Sequence, residues 1–93
     1  QKEIPLNFKE TNLTQMMTDI IKRLQPMADA KHISLQWDAS KEIHAEADEM
    51  KLSLAISNLV DNAVKYTPEE GTVKVSLDAD HQNVFISVAD SGG

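Results

Sequence analysis

A chain of 93 residues has room for one domain, burying somewhat over ~60 % of the surface its unfolded form would expose. A net charge of −6 disfavours nucleic acid as a partner, because phosphate-backbone binders carry a basic stripe. Zero cysteines exclude disulfides and thiolate metal sites, and no apolar run approaches the ~20 residues of a membrane span, so no direct membrane contact is expected.

In chain order, Leu6 and Phe8 alternate with Asn7 and Lys9, which predicts a short opening strand, with Pro5 suited to an edge. Asn12 is placed to cap a helix, with Gln15 three residues on in a capping-box pattern. Leu13, Met16, Met17, Ile20, Ile21, Leu24, Met27 and Ala28 then follow the i, i+3, i+4, i+7 rule, so one stripe of that helix faces a core. The methionines on it are read as core packing rather than a partner groove. Pro26 is expected to kink the helix or end its regular part. Ile33, Leu35 and Trp37 alternate with polar residues, as do Ile43, Ala45 and Ala47, and two half-buried strands follow. Asp48 is a plausible cap for a second helix, which Thr67-Pro68 stops near Tyr66. After the Glu69-Glu70-Gly71 turn, 72–79 and 84–89 alternate as a hairpin. The order βαββαββ predicts an α+β fold of two layers, with both helices on one face of a mixed sheet.

The second helix carries the strongest signal of chemistry. At roughly 100° per residue, Asn58, Asp61, Asn62 and Lys65 share one face, and Leu52, Ala55, Ile56, Leu59, Val60 and Ala63 share another. Asparagine is a mediocre helix former, so two of them four apart on one face want a reason beyond solvation. Asp61 can pair with Lys65 at i+4, which is the structural reading preferred over a weak catalytic base. His32, His44 and His81 lack metal-ligand spacing and are read as surface or loop histidines, and Glu69-Glu70 as a solvated turn. No Gly-x-x-x-x-Gly-Lys-Ser/Thr phosphate loop is present.

The run Asn58-Leu59-Val60-Asp61-Asn62-Ala63-Val64-Lys65-Tyr66, continuing through Thr67-Pro68-Glu69-Glu70-Gly71-Thr72-Val73, resembles the N box of sensor histidine kinases and its following turn. Val84-Phe85-Ile86-Ser87-Val88-Ala89-Asp90-Ser91-Gly92 resembles the strand that enters the same family's G1 box. Thr11-Asn12-Leu13 through Ile33-Ser34-Leu35 is similar to the first helix and second strand of its catalytic domain. The resemblance implies the α/β sandwich shared with ATPases of the chaperone, type II topoisomerase and mismatch-repair type. It also implies ATP and Mg2+ as ligands. Asn62 would supply the amide oxygen to the metal; Asn58 would lie beside it one turn earlier. Lys65 would neutralise phosphate, Tyr66 would lie near adenine or ribose, Asp90 would accept the adenine amino group, and Gly92 would let backbone approach the base.

Hydrolytic relatives carry a glutamate base at the position of Asn58, and an amide cannot take a proton. The carboxamide thus favours transfer of the γ-phosphoryl to protein over hydrolysis. The reaction implied is protein-histidine kinase chemistry within a two-component phosphorelay. Its partners would be the dimerisation and phosphoacceptor domain of the same parent and a response regulator, and the domain would be cytoplasmic in a parent anchored in the bacterial inner membrane. The alternative is a non-catalytic nucleotide-sensing or docking module of the same fold. One domain over 1–93 is expected, with the N box at 58–66 and the start of the G1 box at 90–93. With neither lid nor G2 box following, the chain reads as a fragment, inactive as a kinase on its own.

Overall fold

The computed structural model describes residues 7–91. Five strands and two helices follow in the order β1 (Lys9–Asn12), α1 (Leu13–Ala30), β2 (Ser34–Trp37), β3 (His44–Ala47), α2 (Glu49–Tyr66), β4 (Thr72–Ala79) and β5 (Val84–Asp90). This is the α+β order expected. The opening strand begins later than its alternation suggested: Phe8 is exposed ahead of β1, and Leu6 lies outside the described residues.

The strands hydrogen-bond in two ladders. β1 pairs antiparallel with β3, Thr11 opposite Ala45. The larger sheet has the order β2-β4-β5 and is mixed: β2 runs parallel to β4, Leu35 opposite Val73, while β4 and β5 form the antiparallel hairpin, Val75 opposite Val88. The parallel pair requires a long crossover between its strands, and α2 lies within it.

Both helices begin as their caps dictate. Asn12 Oδ1 accepts from the Gln15 amide at 3.0 Å, though the Gln15 side chain turns to Asp19 instead of completing the capping box. Asp48 Oδ1 accepts from the Lys51 amide at 3.1 Å. Its other oxygen accepts from the Asn7 amide at 2.9 Å, which ties the chain ahead of β1 to the start of α2. Those two amides, Asn7 first, hold the Asp48 carboxyl below the usual carboxylate range.

α1 runs past Pro26 to Ala30. The proline forgoes one backbone hydrogen bond, but Ala28 is fully buried and Met27 packs on the core, so burial carries the last turn through. Leu13, Met17 and Ile20 of α1 meet Ile56, Val60 and Val64 of α2 and Val73 and Val75 of β4 in one core. The methionine stripe is core, as its spacing predicted.

Candidate functional site

Helix α2 presents a narrower apolar stripe than its composition suggests. Ile56, Val60 and Val64 are buried, at i, i+4 and i+8, with Leu52 and Ala63 partly buried beside them. Ala55 and Leu59, expected on the core side, are exposed, Leu59 to 55 %. Each sits about 100° round the helix from Ile56 or Val60, beyond the arc that the sheet and α1 cover. The periodicity was right in phase and too generous in width.

The opposite face carries the polar group. Asn58, Asn62 and Lys65 are exposed and Asp61 is half-buried. No hydrogen bond joins either asparagine carboxamide to another described residue, so two amide oxygens on consecutive turns stand open to a ligand. Asp61 Oδ2 lies 3.7 Å from Lys65 Nζ, the expected i+4 pair. Its Oδ1 is buried without a hydrogen-bond partner among the described residues. A buried acceptor in that state is costly, and a donor or cation arriving on this face would relieve it. Tyr66 closes the helix with its ring 80 % exposed, on the flank shared with Leu59.

Register decides where Asp90 points. It stands opposite Val73, which is fully buried, and side chains alternate along a strand. Asp90 therefore lies on the face of the sheet that the helices cover, in line with Val88 and Ile86, at the end nearest the exit of α2. The next residue locks that end. The Ser91 amide donates to the Thr72 carbonyl at 2.9 Å, and Ser91 Oγ accepts from the Thr72 amide at 2.8 Å. Gly92 lies outside the described residues.

The turn between α2 and β4 joins these halves. Thr67 is fully buried, its hydroxyl donating to the Ala63 carbonyl at 2.7 Å. Glu70 adopts a φ of 72°, and the Gly71 amide donates to the Pro68 carbonyl at 3.0 Å. A Cβ on Gly71 would fall 2.4 Å from Thr67 Cγ2, 2.9 Å from the Pro68 carbonyl oxygen and 3.1 Å from Ser91 Oγ. Only a glycine lets the end of α2 and the end of β5 approach this closely.

Sequence reasoning missed Lys31. From the end of α1 it donates to the Val64 carbonyl at 2.9 Å and to the Lys65 carbonyl. Both acceptors are among the last four carbonyls of α2, which have no partner within the helix. The neighbouring residues grip the same corner: the His32 carbonyl accepts from Glu70, and the Ser34 amide donates to the Gly71 carbonyl. A lone lysine after a helix gives no signal in sequence; only the tertiary approach of α1 to α2 shows its role.

The histidines stay away from the polar face of α2, His44 beside Glu42 and His32 3.9 Å from Glu69. No group of three or more His, Cys, Asp or Glu residues among the described residues could hold a metal ion by itself. Magnesium does not require one, since it binds hard oxygen donors, retains waters and is commonly held by one protein oxygen and substrate phosphates. The open carboxamide oxygens of Asn58 and Asn62 and the unsatisfied Asp61 Oδ1 are donors of that kind.

Comparison with known proteins bears on the family and the fold. Residues 47–93 match the family of histidine kinase-, DNA gyrase B- and HSP90-like ATPases. The phosphate regulon sensor protein PhoR of Pseudomonas aeruginosa is 32 % identical over 90 residues, covering 97 % of this chain and 20 % of that protein. The sensor histidine kinase RppB of a Synechocystis strain is 35 % identical over 81 residues, covering 86 % of this chain and 18 % of its own length. The chain thus spans about a fifth of these relatives. Among solved structures, the catalytic domain of histidine kinase ThkA superposes with a TM-score of 0.88 at 26 % identity, over 95 % of this chain and 61 % of that one. ThkA in complex with the response regulator TrrA gives 0.89 at 27 % identity, over 99 % of this chain and 28 % of that one.

The fold and the family match therefore define an ATP-binding domain. The chain belongs to the histidine kinase-, gyrase B- and HSP90-like ATPase family, and its relatives within that family are sensor histidine kinases.

Proposed function

We propose that this chain is the nucleotide-binding catalytic domain of a sensor histidine kinase, donating the γ-phosphoryl of ATP to a histidine on the parent's dimerisation and phosphoacceptor domain. The carrying observation is the carboxamide pair Asn58 and Asn62, open on one face of α2, on the same side of the sheet as Asp90.

Asn62, with Asn58 one turn earlier, would hold Mg2+, which when bound neutralises and orients the phosphates. Lys65 adds a positive charge on that face, and its pairing with Asp61 aims the ammonium along the helix surface. Tyr66 offers its ring to the adenosine moiety. Asp90 accepts a hydrogen bond from the exocyclic amino group of adenine, with Gly92 allowing backbone to approach the base. Phosphoryl transfer is catalysed mostly by positioning and charge neutralisation, which these residues can provide without a general base. Since an amide at Asn58 cannot activate water by taking its proton, transfer to protein is favoured over hydrolysis. A response regulator would take the phosphoryl onward, as the ThkA–TrrA complex suggests for a related kinase. No helix among the described residues is long and apolar enough to cross a membrane, and an anchor in the inner membrane would belong to other parts of the parent.

Incubation of the parent protein with γ-labelled ATP separates the three readings. Protein-bound label that is lost in acid and stable in base indicates phosphohistidine and is the expected result. Release of inorganic phosphate without labelled protein would indicate a hydrolase. Nucleotide binding with neither product would leave a sensing or docking module.

A further inference from the structure

The last turn of α2 bears Asn62, Lys65 and Tyr66, three of the residues assigned above to the nucleotide, and it ends at a break rather than in a long continuous helix. Thr67 leaves helical geometry, with ψ at 132°, and Pro68 has no amide to donate back. The carbonyls of Val64 and Lys65 therefore need donors from elsewhere. Lys31 supplies both hydrogen bonds through one ammonium group, and a cation is the favoured group at this negative end of the helix. Lys31 is half-buried and held in place by its own backbone, whose amide closes α1 on the Ala28 carbonyl at 3.1 Å. His32 follows with a φ of 60°, the reversal that turns the chain from α1 into β2 beneath the Glu69-Glu70-Gly71 turn. The ammonium thus projects from a braced corner onto the end of the site-bearing helix.

We propose that Lys31 is a positioning residue for the nucleotide site. It touches no nucleotide; it fixes the final turn of α2, and so the direction of the Lys65 and Tyr66 side chains and the depth of Asn62, through the Val64 and Lys65 carbonyls. The proposal rests on the nucleotide reading given above. Without the clamp the last turn frays, and binding has to re-form it before the ligand is held.

The test measures ADP affinity by calorimetry in the full chain, at a temperature where each variant is folded by circular dichroism. Amide exchange across residues 63–67 is followed in parallel. Lys31→Met should weaken ADP binding roughly tenfold and speed exchange in the last turn of α2, the scale seen when a group supporting a binding residue is removed. Lys31→Arg, which keeps charge and donors, should stay within about twofold of wild type, and Lys31→Gln, which keeps a donor without charge, should fall between. If Lys31→Met does not fold, Lys31→Gln carries the same two measurements. A folded Lys31→Met or Lys31→Gln chain with wild-type affinity overturns the proposal. Equal losses in both variants with unchanged exchange also overturn it, because Lys31 would then act as a distant charge on the phosphates. A wild-type chain that binds neither ADP nor ATP would instead remove the nucleotide reading itself.

Discussion

At the scale of single residues, the site separates into groups that look wasted on a solvated surface and groups that bind them together. Asn58 and Asn62 are poor helix formers that give the fold nothing in return, which is why they stood out in the sequence. Asp90 stood out only through the motif it resembles, since a carboxylate before Ser-Gly also fits an ordinary turn. The register with Val73 places it on the face of the sheet that the helices cover. Asp90→Asn replaces one of the acceptor oxygens with a donor facing the adenine amino group. ATP affinity should drop by about tenfold or more, the scale of one charge-assisted hydrogen bond, and discrimination against GTP should narrow. Competition between the two nucleotides in a fluorescence titration reads both effects. Equal affinity of the wild-type chain for ATP and GTP would contradict the role given to Asp90.

At the scale of elements, the helix starts were legible and the helix faces only partly so. Asn12 and Asp48 cap α1 and α2 where the side-chain chemistry says they should, because a capping oxygen acts on amides two or three residues away. The width of the buried stripe on α2 depends on how closely the sheet and α1 wrap it, and Leu59 and Ala55 show that spacing alone overstates it. Asp48 gives α2 a pH dependence of definite sign. Its folded pKa lies below the unfolded value of about 3.9, so the unfolded chain binds more protons between the two. The stabilisation is complete above the unfolded value and is lost as pH falls through the folded one. Melting curves of wild type and Asp48→Asn should accordingly differ near pH 6 and converge as pH falls through the lowered folded value. A gap that widens in acid would reverse the assignment.

Pro26 is the second element-scale case. Its local penalty is outweighed by burial of Ala28 on the following turn, so the helix persists. Pro26→Ala restores an amide to the turn that lacks one and should raise stability by about 1 to 2 kcal/mol, the gain being limited by the freer unfolded chain. Denaturant unfolding followed at Trp37, the only tryptophan in the sequence, gives the number. A lower midpoint for Pro26→Ala would mean that a kink there is required by the packing of α1.

Across the whole molecule, the order of elements and the layering followed from the alternation and helical periods of the chain, while the joining of the site did not. α2 and β5 are brought together by a crossover that places Gly71 between Thr67 and Ser91, and by Lys31 reaching across from α1. The Thr72–Ser91 bond spans 19 positions and the Lys31–Val64 bond 33, beyond the reach of any local pattern. The polar stripe of α2 could be read because it is confined to one helix face. The clamp around it could not, because a lysine, a glycine and a serine acquire meaning only where the chain returns on itself.

The central claim is that the open face of α2 binds ATP with its metal through Asn62. Calorimetric titration of ATP into wild-type and Asn62→Ala chains, each with magnesium and with chelator, tests it most directly. The wild-type chain should bind ATP more tightly with magnesium than without. The Asn62→Ala chain, with an unchanged circular dichroism spectrum, should lose that magnesium-dependent gain. A folded Asn62→Ala chain with unaltered magnesium-dependent affinity would contradict the account.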